Sequence, residues 1–257
     1  MAGFAVRGVS KIYEGPEPTV TLQDIHLTIE PGEFVCLLGP SGCGKSTLLE
    51  LLAGLQAPTE GEVLLDGTKL QGPSRKLGVV FQDPSLFPWR TIEQNVGLGL
   101  ELAGVGKAER KERVQAFLEM VGLQGFGGKY PHQLSGGMKQ RAGIARALVG
   151  SPEILLMDEP FGAVDHLTRL QLQSDLLRIW QEAKKTVVFV THDVSEAVFL
   201  ADRIVLLSPR PGRIQRIFPI TLPRPRKLDD LNLLKIQNDI YSAIYDVKTE
   251  EDLEFTI

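Results

Sequence analysis

Gly39-Pro40-Ser41-Gly42-Cys43-Gly44-Lys45-Ser46-Thr47 follows the apolar run Phe34-Val35-Cys36-Leu37-Leu38 and precedes Leu48-Leu49-Glu50-Leu51-Leu52-Ala53. The nine residues match the spacing G-x-x-x-x-G-K-[ST], and strand, loop, helix is the context in which that spacing binds phosphate. Glycines let backbone N–H groups converge on phosphate oxygens where no Cβ blocks the approach, and the start of a helix adds partial positive charge. Lys45 is placed to reach the β- and γ-phosphates of a nucleotide, and the Ser46 hydroxyl to ligate Mg²⁺.

Working outward, 257 residues suit one large α/β domain, or one domain with a small subdomain, around a sizeable core. Hydrophobic content of 43% and charged content of 23% are ordinary for a soluble globular chain. A net charge of −4 gives no general attraction to nucleic acid or anionic lipid, so nucleic acid is not an expected partner. The longest apolar runs fall far below the ~18 residues of a membrane span, and residues 1–8 lack the pattern of a secretory leader. Two cysteines, Cys36 in a predicted strand and Cys43 in the phosphate loop, suit a reducing compartment, and the expectation is a cytoplasmic protein. Cys43 is expected to be accessible beside the ligand.

Ahead of the loop, residues 4–9 and 22–29 read as strands. Tyr13 lies between them in a polar stretch and admits two readings, a hydrophobic plug or an aromatic face for an adenine ring. Beyond the loop, Glu62-Val63-Leu64-Leu65 reads as a strand ending in the turn Asp66-Gly67. Leu77-Gly78-Val79-Val80-Phe81 is another, and it delivers Gln82 to the strand end where open α/β sheets gather ligands. A Gln there is by itself also an ordinary loop residue. From Pro84-Ser85-Leu86-Phe87-Pro88-Trp89-Arg90 onward the pattern turns helical, with Val114, Phe117, Leu118 and Val121 at i, i+3, i+4 and i+7. No strand interrupts it up to about Pro152, which predicts an inserted helical subdomain over residues 84–151.

Leu134-Ser135-Gly136-Gly137 opens a helix running to Val149, either as a plain Ser-capped start or as a second anion site. Ile154-Leu155-Leu156-Met157 then ends in Asp158-Glu159. Two carboxylates so near a core need a cation, and bound Mg²⁺ supplies it, with Asp158 on the metal's water shell and Glu159 toward an attacking water. After Phe161-Gly162-Ala163-Val164-Asp165 comes a helix, then the strand Thr186-Val187-Val188-Phe189-Val190-Thr191, which ends at His192. His192 reads as a helix cap or as a group meeting the ligand at this sheet edge, and Asp193 with Glu196 reads as a capping box. Residues 203–207 and 213–217 flank Pro209-Arg210-Pro211-Gly212 as a hairpin. The basic run after Pro223 reads as a solvated linker, followed by Leu228, Leu231, Leu234, Ile240 and Ile244 at helical intervals.

Phosphate loop, Gln82, Leu134-Ser135-Gly136-Gly137, Asp158-Glu159, Asp165 and His192, in that order, resemble the ATP-binding subunit of ATP-binding-cassette (ABC) transporters over residues 4–217. The resemblance implies a P-loop NTPase core of α/β class with an N-terminal antiparallel β part and an inserted α-helical subdomain, residues 1–217 in all, and a short helical extension over 218–257. It implies ATP and Mg²⁺ as cofactors. Tyr13 would stack adenine, Gly39, Pro40, Ser41, Gly42, Cys43, Gly44, Lys45, Ser46 and Thr47 would cradle the phosphates, and Ser46, Gln82 and Asp158 would serve the metal. Ser135 and Gly137 would cap the γ-phosphate held by an opposite subunit in a head-to-tail homodimer, Gly136 and Asp165 would also belong to the nucleotide site, and Glu159, His192 and Gln82 would carry hydrolysis. Partners would be integral-membrane permease subunits and, indirectly, a substrate-binding protein. The chain would then sit on the cytoplasmic face of the plasma membrane.

Phe87-Pro88-Trp89-Arg90, Phe161-Gly162-Ala163-Val164-Asp165 and Arg210-Pro211-Gly212-Arg213-Ile214 are similar to importer subunits of the nitrate, sulfonate and taurine group. Met138 stands where the family commonly has Gln, and Gly162 where many members have Ser. Bicarbonate and heterocyclic vitamin precursors are alternative cargoes. A soluble ABC ATPase of DNA repair or translation is the rival class, but it would be expected to bring a second cassette or a long coiled coil, and the sequence holds one phosphate loop and no sustained heptads.

Overall fold

A computed structural model describes residues 2–254 apart from Lys184 and Leu228. Strands β1 (Phe4–Tyr13), β2 (Thr19–Ile29), β4 (Glu60–Leu65) and β5 (Thr68–Lys69) form an antiparallel sheet in the order β2-β1-β4-β5. Strands β3 (Phe34–Leu38), β6 (Leu77–Val80), β7 (Ile154–Asp158), β8 (Thr186–Val190), β9 (Arg203–Leu207) and β10 (Ile214–Pro219) form the second sheet, ordered β10-β9-β3-β8-β7-β6. It is parallel from β9 to β6, and β10 closes one edge antiparallel to β9.

Every residue of β3, β7 and β8 is buried, as continuous apolar runs require in a parallel sheet covered on both faces. Alternate residues feed two cores. Phe34, Cys36, Leu155, Met157, Val187 and Phe189 join one, and Val35, Leu37, Ile154, Leu156, Val188 and Val190 the other. Helix α1 (Lys45–Leu52) lies in the second core, between the sheets, with Leu48, Leu49, Leu51 and Leu52 buried. At roughly 2 kcal/mol per buried leucine, this helix fixes the loop ahead of it against the sheet.

Helices α2 (Ile92–Val96), α3 (Leu98–Leu102), α4 (Lys107–Met120) and α5 (Gly136–Val149) all fall between β6 and β7, which are direct neighbours in the sheet, so the helical segment is an insertion between adjacent strands. Val114, Leu118 and Val121 are buried and Phe117 packs against them, as the spacing predicts. The buried Asn95 side chain holds the aromatic segment before α2, accepting from Phe87 N at 2.7 Å and donating to the carbonyls of Phe87 and Arg90 at 3.1 Å each. Trp89 stays 71% exposed.

Helices α6 (His166–Ala183), α7 (Val194–Leu200) and α8 (Leu231–Glu254) complete the chain. No helix among the described residues is long and apolar enough to cross a membrane. On α8, Ile240 is buried and Ile244 packs on the core, while Leu231 and Leu234 are exposed and Leu228 lies outside the described residues.

Three expectations are corrected. Tyr13 is the last residue of β1 and not part of a loop, because pairing with Thr19 prolongs the strand. Asp193 accepts from Ser195 N and Glu196 N, but Glu196 does not complete a capping box; its carboxylate takes hydrogen bonds from Thr191 Oγ1 and from Gln173 Nε2 on α6. The basic run is not a solvated linker. Arg226 is buried and donates to five carbonyls, those of Val198, Phe199 and Ala201 at the end of α7 and those of Ile220 and Leu222. Arg224 pairs with Asp202 and stacks its guanidinium 4.4 Å from the centre of the Trp180 ring. Carbonyls left over at a helix end need donors, and side chains from the tail supply them.

Candidate functional site

The phosphate loop leaves β3 at Gly39 and enters α1 through Gly44, whose φ of 98° is left-handed and whose absent Cβ would lie 2.6 Å from Leu22 Cδ2. Any other residue there would be strained by the positive φ and would push the Leu22 side chain aside. Lys45 is buried, and its ammonium donates to Gly39 O at 2.8 Å and Pro40 O at 2.9 Å. Ser46 beside it stands against the Asp158 carboxylate at the end of β7. Burial pushes the Asp158 carboxyl up, and the Ser46 hydroxyl and the Lys45 charge partly oppose that shift.

Glu159 follows with φ of 43°, an unusual conformation for a residue with a Cβ and a cost of about 1 kcal/mol. It is held there by Glu159 N donating to Val190 O at 3.0 Å. This turn brings the carboxylate between two neighbours: Gln82 Nε2 is 3.5 Å from Glu159 Oε2, and His192 Nδ1 is 3.3 Å from Glu159 Oε1. Gln82, Glu159 and His192 thus stand at the ends of β6, β7 and β8, three adjacent strands. With Thr21, Ser41, Gly42, Gly44, Lys45, Ser46, Thr47 and Arg210 they line one cleft of about 420 Å³.

The other expected residues lie elsewhere. Tyr13 is not on the cleft wall; its hydroxyl donates to Gln56 Oε1 at 3.1 Å, and Lys11 Nζ sits 5.2 Å from its ring centre. Cys43 is not accessible as expected. It is 1% exposed, its thiol lies against Gly39 and 4.0 Å from Lys45 Nζ, and burial pushes the thiol's pKa up, so its side chain is turned away from the ligand. Ser135 caps α5, its Oγ accepting from Met138 N at 3.3 Å, and Gly136 and Gly137 follow in the first turn. A Cβ on Gly137 would stand 2.9 Å from Ala163 O, so this turn packs against the loop that leads to Asp165. Asp165 accepts from Thr168 N at 3.1 Å, and that backbone bond, with the Thr168 side chain, lowers its pKa. Ser135, Gly136, Gly137 and Asp165 form no wall of the cleft of their own chain.

Residues that the sequence did not single out complete the surroundings. One face of α5 grips the segment after β6: Gln140 Nε2 donates to Phe81 O at 3.1 Å, Gly143 abuts Pro84, and Arg146 donates to the carbonyls of Pro84 and Ser85 at 2.7 and 2.9 Å. Their spacing of i, i+3, i+6 was the available signal, but a Gln, a Gly and an Arg do not read as one face. Thr21 and Arg210 reach the cleft through long-range pairing between β2 and the β9–β10 turn, which no local pattern announces.

A glycine-rich loop entering a buried helix, with an acid-ended strand and a polar strand-end triad beside it, defines a nucleoside-triphosphate-binding protein of the P-loop class. The profile of the ABC transporter family matches residues 22–162. The taurine import ATP-binding protein TauB of Escherichia coli O157:H7 is 49% identical over 84% of this chain and 85% of its own length. The aliphatic sulfonates import ATP-binding protein SsuB of Bacillus cereus is 45% identical over 92% of this chain and 93% of its own. A dimeric ATP-binding cassette solved in a post-hydrolysis state with ADP and Pi superimposes with a TM-score of 0.79 at 37% identity, covering 87% of this chain and all of that one. The chain belongs to the ABC transporter family, among the ATP-binding proteins whose ATP hydrolysis drives transport. Its fold is that of the ABC ATPase, with the antiparallel sheet and the helical insertion in their places.

Proposed function

We propose that this chain energises the import of a small organic anion of the sulfonate type, with residues 1–217 as the ATP-binding domain, 84–151 as its helical subdomain and 218–257 as a helical extension. The observation that carries the reading is the meeting of Gln82, Glu159 and His192 at three adjacent strand ends beside the phosphate loop. The cargo class rests on the names of the two relatives and stays with the permease and its binding protein, which this chain serves from the cytoplasmic face of the membrane.

In this reading the loop from Gly39 to Thr47 and the start of α1 hold the triphosphate, and Lys45 exchanges its two carbonyl partners for phosphate oxygens. The residues fit Mg²⁺. Ser46 and Gln82 line the cleft and Asp158 stands beside Ser46, so hard oxygen donors are at hand, and Mg²⁺ is usually held by one or two such groups together with phosphate oxygens and water. The metal supplies charge neutralisation on the terminal phosphates. Glu159 orients and deprotonates the attacking water, Gln82 and His192 hold the Glu159 carboxylate from either side, and His192 turns to the γ-phosphate. Tyr13, at the end of β1 and off the phosphate cleft, would stack an adenine that extends beyond that cleft. Ser135, Gly136, Gly137 and Asp165, which do not face the cleft of their own chain, complete that of a second subunit in a head-to-tail homodimer.

The test is to purify the tagged chain from its native cell in mild detergent with ATP and Mg²⁺, identify its companions by mass spectrometry, and measure uptake of taurine and alkanesulfonates by the reconstituted complex. A co-purifying permease and ATP-dependent sulfonate uptake are expected. Recovery of only soluble partners or nucleic acid with active ATPase would overturn the transport reading, and uptake of a different solute would overturn the cargo.

A further inference from the structure

Arg210 stands in the nucleotide cleft with no part in the scheme above. Among the residues that line this cleft, Lys45 and Arg210 are the two fixed cations. They are held in similar ways. Lys45 Nζ meets the carbonyls of Gly39 and Pro40, and Arg210 Nε donates to the carbonyl of Gly42 at 3.2 Å, so each cation is docked on the outward oxygens of a loop whose N–H groups serve the ligand. That bond uses one of the five guanidinium donors, and the other four make no hydrogen bond among the described residues.

The turn that carries Arg210 is fixed to the phosphate loop. Ser208 N donates to Arg213 O at 2.9 Å, and Arg213 N returns a bond to Ser208 Oγ at 3.0 Å. Arg213 in turn donates twice to Gln23 Oε1, at 3.2 and 2.6 Å. Gly212 N donates to Thr21 O at 2.9 Å and Gln23 N to Gly212 O at 3.0 Å, while a Cβ on Gly212 would lie 2.0 Å from Cys43 O. The backbone of this turn is therefore in place before any ligand arrives, and only the Arg210 side chain has freedom to lose.

We propose that Arg210 is a second phosphate-directed cation of the ATP site: Nε keeps the Gly42 carbonyl while the Nη groups bind oxygens of the polyphosphate. The inference rests on the ATP-binding reading of the cleft. A triphosphate carries more negative charge than Lys45 and one Mg²⁺ neutralise, and Glu159 adds to it in the same space. A planar guanidinium meets two phosphate oxygens side by side, which the point charge of a lysine does not. The second cation comes from the turn after β9, the strand beside β3, so the docking of that turn on the loop becomes part of nucleotide affinity.

Titration calorimetry of ATP and ADP into wild-type protein and Arg210→Gln, at low and high salt, tests this. The variant is expected to fold normally, since Arg210 is exposed, to bind ATP roughly 10-fold more weakly, and to show a shallower salt dependence. A greater loss for ATP than for ADP places the contact on the γ-phosphate, and an equal loss places it on the inner phosphates; either supports the proposal. An ATP affinity within about twofold of wild type, or a weakened affinity with unchanged salt dependence, overturns it, the latter by reducing Arg210 to a brace for the loop. Wild-type protein that fails to bind ATP would instead overturn the reading of the cleft itself.

Discussion

Glu159 is held by three independent contacts: its own N–H on Val190 O, and its two oxygens facing Gln82 and His192. A left-handed backbone that persists at such a site stores strain where the surroundings over-determine it. Replacing the acid by its amide keeps this geometry and removes the base. Glu159→Gln is expected to bind ATP with near wild-type affinity and to lose on the order of 10² to 10⁴ in turnover. Wild-type phosphate release from a carefully repurified sample would end the assignment. Glu196 behaves differently, because burial raises its pKa while the bonds from Thr191 and Gln173 oppose the rise. A raised folded pKa means that the stabilising contribution is fully present below the unfolded carboxyl value and is lost as pH rises through the folded one. The stability of wild type relative to Glu196→Gln should therefore increase as pH falls from neutral toward about 4.5, by at most about 1.4 kcal/mol per pH unit. Urea midpoints of both proteins across that range decide it; a flat difference would mean that Glu196 is not the group that titrates.

At the scale of elements, what the sequence made legible was what local pattern encodes. Strand, glycine loop and helix around Lys45 could be read directly, as could the apolar strands ending in Asp158-Glu159 and at His192, because backbone periodicity and ligand chemistry fall within a dozen residues. The tail was misread because Arg224 and Arg226 sit among prolines in a run that is polar by composition. Their burial follows from carbonyls at the end of α7, an element about 25 residues earlier in the chain, and from the face of Trp180. Cys43 was misread for a related reason: a residue inside a ligand loop still has a side chain that can turn to the core, here beneath Gly39. Two consequences follow. Arg226→Met leaves five carbonyls without their donor and should cost about 3 kcal/mol in urea unfolding, against under about 1 kcal/mol if the tail were a linker. Gly212→Ala drives a methyl into the Cys43 carbonyl, so the turn or the phosphate loop must move. It is expected to lower stability by about 2 kcal/mol and to weaken ATP binding in the same protein.

For the whole molecule, Ser135, Gly136 and Gly137 lie apart from the cleft of their own chain, so in the proposed dimer each chain would bind its own ATP and two chains would be needed to enclose it. The related cassette solved with ADP and Pi is dimeric. Glu159→Gln with ATP should therefore elute from a sizing column as a dimer, and adding Ser135→Arg should return it to a monomer with ATP still bound to each chain; a dimer that persists would place the contact elsewhere. The seam between Gly212 and the phosphate loop also has a meaning in time. About 165 residues separate Thr47 from Gly212, and at roughly 5–20 residues per second a ribosome takes on the order of 10–30 s to make them. Strands β8 and β9, the two that flank β3, belong to the same late stretch. The nascent chain thus carries its phosphate loop through most of translation without the strands and the turn that brace it. The catalytic centre is braced only once the chain has been made past Gly212, so a product cut short of that point carries a phosphate loop without its support.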